Sequence, residues 1–265
     1  MSLTLFRREV RAHWVLALVF AAVMTLYGSM IVSMFDPKLG ESLAMMAESM
    51  PQIFAAFNMT DPGATLTEFL ANYLYGFLFI VLPMVAILIL AAGLVAGHVD
   101  KGSMAYLLAS PHTRAGIVWT QAAVLFSFTL LLCAWAFGLC TATAQLMFPG
   151  ELDLEHFALL NVGLLGLHVF FGGLAFLCSC LFNETRLAAG IAAGLCVLFV
   201  LIQMLSQVGD TFDWLRLCTP LTLFDTDGLL AGDSGAIGRL LILYGWGSSM
   251  YCLGAVAFSR RDLPL

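Results

Sequence analysis

Few side chains in this sequence could do chemistry on a substrate. His168 lies within an apolar run, and the thiols of that run, Cys178 and Cys180, are about three helical turns away at ~1.5 Å rise per residue. That separation argues against one metal site on a single helix, so His168 reads as a hydrogen-bonded packing histidine. Cys178-Ser-Cys180 reads as thiols buried in helix packing rather than a redox pair. Met45, Met46, Met50 and Met59 are thioethers of the type that hold Cu(I). The same residues fill irregular apolar surfaces, and both readings stand. No G-x-x-x-x-G-K-[ST] occurs, so the chain cannot cradle ATP phosphates by itself, and neither H-E-x-x-H nor G-x-S-x-G is present. The expectation is a chain with no catalytic, cofactor-binding or metal-binding residues of its own.

Polar side chains inside otherwise apolar runs are the direct clue to a binding route. Asn72, Tyr73 and Tyr75 form one group, and Gln203, Ser206 and Gln207 another, with Gln203 and Gln207 one helical turn apart. Polar groups in lipid seek a partner helix or a wet cavity. Asn72, Tyr75, Gln203 and Gln207 therefore line a polar vestibule or make interhelical hydrogen bonds, and the sequence leaves both open.

The elements that must position these groups are membrane spans. Of the 265 residues 61% are apolar and only 11% charged, against about a quarter charged in a soluble domain. A helix needs about 20 apolar residues to cross about 30 Å of hydrocarbon. Six uncharged runs qualify, giving spans at 14–35, 70–97, 116–148, 156–181, 187–208 and 239–259. The apolar stretch that follows Arg7, Arg8 and Arg11 is too long for a signal-peptide core and reads as an uncleaved first span.

Charge sets the orientation. With the N-terminus inside, Arg7, Arg8, Arg11, Lys101, Arg114, Arg186, Arg260 and Arg261 are internal, eight of the eleven basic residues. Both termini are then expected in the cytoplasm. Residues 1–13 place Leu3, Phe6, Val10 and Trp14 on one helical side and Arg7, Arg8 and Arg11 on another. That pattern suits an amphipathic helix in the headgroup layer, or an ordinary basic anchor for the first span. In the outer segment 36–68, Leu43, Met46, Met50, Ile53, Phe54 and Phe57 form an apolar stripe before the turn signal Asp61-Pro62-Gly63. Gly163, Gly166, Gly172 and Gly173 point to close helix approach in the fourth span.

Between spans two and three, Gly102 can break the helix and Ser103 can cap a new one. Met104, Leu107 and Leu108 would form its apolar face, and Pro111 would end it. A short crosswise helix over 102–111 is expected. Here the chain resembles a known family. The order Asp100-Lys101-Gly102-Ser103, then Leu107-Leu108, then Ser110-Pro111 and Arg114, is similar to the cytoplasmic loop of ABC-2 type permeases. The close Phe258-Ser-Arg-Arg-Asp262-Leu is similar to the common family ending. The family often has further acidic residues just before the Lys/Arg-Gly pair, where this chain has His98 and Val99.

The resemblance covers essentially the whole chain, with the loop as its specific motif. It implies an all-α membrane domain of the type V exporter fold, with six transmembrane helices and a re-entrant or surface helical segment before the sixth. It also implies a coupling helix, with Asp100, Lys101, Gly102, Ser103, Leu107, Leu108, Pro111 and Arg114 at the interface to a separate ABC ATPase that binds ATP and Mg. Phe6, Arg7, Arg8, Val10 and Arg11 would form the interface helix. The pathway would lie between two copies of the permease, or this chain and a homologous one, in the bacterial cytoplasmic membrane. Besides membrane lipids no further partner is implied, and no nucleic acid. Amphipathic drug-, peptide- or lipid-like cargo is the implied substrate class. A membrane-embedded enzyme and a non-transporting accessory protein are the alternatives.

Overall fold

The computed structural model describes residues 2–36, 45–46, 48–56, 65–109, 113–208 and 210–261. Among these there is no strand, and six helices are long and apolar enough to cross a membrane. In chain order the helices are α1 (Leu3–Ser33), α2 (Pro51–Ala56), α3 (Leu66–Asp100), α4 (Met104–Leu108), α5 (Arg114–Met147), α6 (Leu154–Leu181), α7 (Thr185–Ser206), α8 (Thr226–Leu230) and α9 (Ser234–Arg260). The long ones are α1, α3, α5, α6, α7 and α9; they begin 2 to 11 residues before their expected spans, and α1, α5 and α7 end one or two residues short of them.

Start signals are legible in local chemistry. Ser2, Thr113, Asp153 and Asp233 accept backbone N–H bonds from the first turns of α1, α5, α6 and α9. Thr65 and Glu68 form a reciprocal capping box at the start of α3. Helix α7 lacks a cap of its own; Asp100 at the end of α3 accepts the Thr185 N–H at 3.2 Å. Asp100 thus terminates one span and caps another.

Two expectations need correction. The interface helix over 1–13 is not a separate element: α1 runs unbroken through residue 13, because nothing between Ala12 and Val15 interrupts the hydrogen-bond ladder. Nor does Ser103 cap the crosswise helix. It sits in helical conformation with no capping bond, and its hydroxyl donates to the His98 carbonyl at 3.2 Å. Gly102 does make the turn, at φ +68°, a region that side chains with a Cβ rarely enter.

Helix α6 is the centre of the bundle. Its most apolar stretch is 83% buried, against 17% for α1 and for α7. It packs most closely on α9, and glycine makes that approach possible. A Cβ on Gly247 would lie 2.8 Å from the Val169 carbonyl oxygen and the Phe170 nitrogen, and one on Gly173 would meet the Gly247 carbonyl. Gly163 faces Leu229 and Phe224, Gly166 faces Tyr244, and Gly172 faces Tyr251.

Helix α3 is irregular where it matters for the site. Residues Ala71–Leu78 are π-helical, and the Phe79 N–H reaches back to the Leu74 carbonyl. Pro83 lies further along and removes a rung of the ladder. At Val95 the helix breaks, and the Ala96 N–H donates instead to the Ser179 hydroxyl of α6 at 2.9 Å. A backbone donor freed inside the bundle is thereby satisfied within the protein.

At the end of the bundle away from the chain termini, Asp210–Cys218 and Pro220–Leu223 are 3₁₀ segments that lead into α8. Pro220, Leu221 and Phe224 are buried while Trp214 and Leu217 are exposed, so this segment packs one side onto the bundle. Leu43, Phe57, Met59 and the Asp61-Pro62-Gly63 turn lie outside the described residues.

Candidate functional site

Two places collect the residues that the sequence singles out. The first is at the terminal end of the bundle, around the loop between α3 and α5. Met104 is fully buried, Leu107 and Leu108 pack half-buried against the core, and Tyr106 is 83% exposed. The leucine pair is therefore the root of α4 rather than its outward face, which is Ala105 and Tyr106. Lys101 and Gly102 are exposed beside them. Arg114 opens α5 and donates to the Arg261 carbonyl at 3.4 Å. Pro111 lies outside the described residues.

The N-terminal group meets this loop through a residue that the sequence reading missed. Glu9 is 4% exposed, and its carboxylate lies 3.3 Å from His98 Nε2, while His98 Nδ1 lies 2.9 Å from the Ser103 hydroxyl. His13 adds a longer contact of 3.8 Å to Glu9. An acidic side chain thus does reach the position before Lys101-Gly102, from α1 rather than from the loop. Ser2 donates its N–H to Thr120 of α5 at 2.9 Å. Phe6 is half-buried, whereas Arg7, Arg8, Val10 and Arg11 are exposed. The signal for Glu9 was present as the one acid in a basic stretch.

Arg261 is the second omission. Its guanidinium donates to the Cys180 carbonyl at 2.6 Å and to Asn183 Oδ1 at 2.7 Å, and it lies 5.5 Å from the Phe258 ring centre. It closes the end of α6 onto the end of α9. Burial lowers its pKa below the ordinary arginine value, and the proximity of Cys180 opposes that shift. Arg261→Ala is expected to cost about 2 kcal/mol through lost charge-assisted bonds. Arg261→Lys should recover only part of this, because the single ammonium nitrogen does not reproduce the planar fork that places Nη1 and Nη2 on separate acceptors. Thermal unfolding in detergent reads both; an unchanged midpoint for Arg261→Ala would refute the assignment.

The second place is a cavity of about 340 Å³ at the opposite end. Tyr75 from the π-helical stretch of α3 and Gln203 and Gln207 from α7 line it together. Asn72 is buried in the same π-helical stretch and does not line it. Thr222, Arg216, Asp225, Asp227 and Arg239 complete a polar wall that the sequence reading did not assemble. Arg239 Nη2 pairs with Asp225 Oδ2 at 2.9 Å, and Asp225 also caps Gly228 at 3.1 Å. Tyr75 donates its hydroxyl to Asn161 Oδ1 at 3.2 Å, and Thr222 donates to Gln203 Oε1 at 3.0 Å. Tyr75 and Gln203 thus hydrogen-bond to other elements and also line the cavity.

His168 is fully buried, with its ring nitrogens 2.8 Å and 3.2 Å from the carbonyl oxygens of Leu164 and Ile80. The second carbonyl is one residue past the Phe79 carbonyl that Pro83 deprives of its donor. His168 thus joins α6 to α3, and among the described residues no group of three or more His, Cys, Asp or Glu could hold a metal. Cys178 and Cys180 are buried, and Met45, Met46 and Met50 are exposed.

A comparison with curated proteins finds no match. A family description does match: that of the ABC-2 family transporter protein, over residues 6–263. With nearly the whole length matched and six long apolar helices in place, the chain belongs to the ABC-2 transporter family of multi-pass membrane proteins.

Proposed function

We propose that this chain is the membrane-spanning permease subunit of an ATP-driven exporter in the bacterial cytoplasmic membrane, with both termini in the cytoplasm. A separate ABC ATPase binds ATP and Mg and docks on the outward face of α4 and the start of α1. The observation that carries this reading is the construction of α4. It turns off at Gly102 between two spans, buries Met104 and leaves Tyr106 in the open. It is tied to α1 through Ser103, His98 and Glu9, and Asp100 beside it holds α7. A push on α4 is therefore delivered to several spans at once, which suits rigid-body rocking driven by ATPase closure.

A second copy of the chain, or a homologous permease, completes the pathway. The two least covered spans, α1 and α7, support this, since each shows a broad apolar surface that lipid or another protein must cover. An amphipathic drug-, peptide- or lipid-like substrate uses the cavity around Tyr75, Gln203 and Gln207, where polar groups adjoin apolar walls.

Purification from native membrane in mild detergent, with mass identification of what travels along, tests the pairing. A stoichiometric ATPase is expected, and a chain that emerges alone under several conditions would defeat the reading. Gln203→Leu combined with Gln207→Leu is expected to lower transport on the order of tenfold, the worth of about one good hydrogen bond. ATP hydrolysis by the partner should persist. Unaltered transport in the double variant would remove the cavity from the route.

A further inference from the structure

The cavity that holds Tyr75, Gln203 and Gln207 has two unlike ends. Ile80 of α3 and Val200 of α7 also line it, and they lie five residues past Tyr75 and seven before Gln207. At ~1.5 Å per residue that is roughly 8 to 10 Å closer to the middle of the bundle. The deep end is therefore apolar. The other end is charged, with Arg216, Asp225, Asp227 and Arg239 on its wall. Among the described residues these two cations and two anions are the only charges in the lining, so its formal charge is zero.

Two of the four charges are fixed in place. Asp225 is the N-cap of α8: its Oδ1 accepts the Gly228 N–H at 3.1 Å, and its Oδ2 lies 2.9 Å from Arg239 Nη2. Arg239 is steadied by its Nε, which donates to the Gly235 carbonyl at 3.4 Å, and by Asp233 at 3.7 Å. A guanidinium has five N–H donors, and among the described residues Nη1 makes no hydrogen bond. Each Asp225 oxygen likewise keeps accepting capacity. Both side chains are half-buried, so both can still take a charged partner.

A cargo of net charge would leave that charge uncompensated in a site partly removed from water. An anion on Arg239 would sit beside Asp225 and Asp227, and a cation on Asp225 would sit beside Arg239. A group with one charge of each sign meets both partners and leaves the total at zero. We propose that the cavity takes a zwitterionic amphiphile, with its anionic group on Arg239, its cationic group on Asp225 and Asp227, and its apolar part toward Ile80 and Val200. A volume of about 340 Å³ is near the lower limit for a small-molecule site, so it holds the head and only the start of a tail. The inference rests on the cavity being the cargo site.

The test offers the purified chain, in uncharged maltoside micelles, equal amounts of three amphiphiles of one chain length. These are lysophosphatidylcholine, lysophosphatidylglycerol and an alkyltrimethylammonium, with bound fractions read by native mass spectrometry. Lysophosphatidylcholine is expected to be retained on the order of tenfold over either of the others. Asp225→Asn, which keeps a capping side chain on α8, should shift the preference to lysophosphatidylglycerol. Arg239→Gln should shift it to the alkyltrimethylammonium. Asp227→Asn, at an exposed position that is not the cap of α8, should repeat the first shift even where Asp225→Asn fails to fold. Retention of all three without preference, or a preference that the variants leave in place, overturns the inference. Either result leaves the cavity as a route, which the glutamine variants judge separately. Retention of none of the three overturns both.

Discussion

Replacing Gly247 with leucine is expected to destabilise the fold by about 3 kcal/mol or more, the upper range for overpacking. A Cβ at this position would lie 2.8 Å from backbone atoms of Val169 and Phe170. Backbone inside a helix cannot rotate aside as a side chain can, so α9 would have to withdraw from α6, the most buried helix of the bundle. In lipid the attraction between helices comes from close packing, not from excluding water, so lost contact is not recovered elsewhere. Gly245→Ala is the control. It lies on the same helix with nothing within 4 Å of an added Cβ, and it should be neutral or slightly stabilising. Unfolding midpoints in detergent, with retention of a single gel-filtration peak, separate the two. Equal stability of Gly247→Leu and the parent chain would mean that the α6–α9 contact is looser than described.

Tyr106→Asp is expected to disconnect transport from ATP hydrolysis while leaving the chain folded. Tyr106 is 83% exposed, so the substitution removes almost no packing, and surface changes of this kind usually cost within ±0.5 kcal/mol. An anchoring tyrosine at a protein interface is worth about 2 kcal/mol or more, so docking of the ATPase should weaken roughly thirtyfold. The readouts are co-purification of the ATPase and ATP-dependent transport, with the unfolding midpoint as the control. Leu107→Asp is a poorer probe, because Leu107 packs against the core and its loss would damage fold and docking together. Unchanged partner recovery and transport in Tyr106→Asp would rule out α4 as the docking face.

The contrast between those two leucines and Tyr106 shows where reading the sequence stopped. Local chemistry located the short helix: Gly102 supplies a left-handed turn that other residues resist, and the residues after it are helix formers. Which side of a five-residue helix faces out depends on what the bundle offers it, and the bundle buries Met104 while half-covering Leu107 and Leu108. The same holds for Ser103, whose hydroxyl could bond its own helix or His98 and does the latter. Tyr75, Gln203 and Gln207 were legible as polar groups in apolar runs. That they share one cavity with Arg239 and Asp225 follows from the packing of the far segment over α3 and α7.

The sequence by itself determined the six spans, because a charge in hydrocarbon is so costly that uncharged runs of sufficient length have one stable use. It also determined most of the helix starts, through Ser, Thr and Asp side chains that bond within one turn of their own backbone, and the closeness of α6 to its neighbour, through glycine. Tertiary structure alone decided the partners of the ionisable groups. Glu9 sits on His98, Asp100 caps α7 and Arg261 closes α6. These pairs join residues 81 to 89 positions apart, and no local rule specifies them. They form because the end of a bundle brings several chain reversals together, where a half-buried charge is stable only beside a partner that packing has placed within reach.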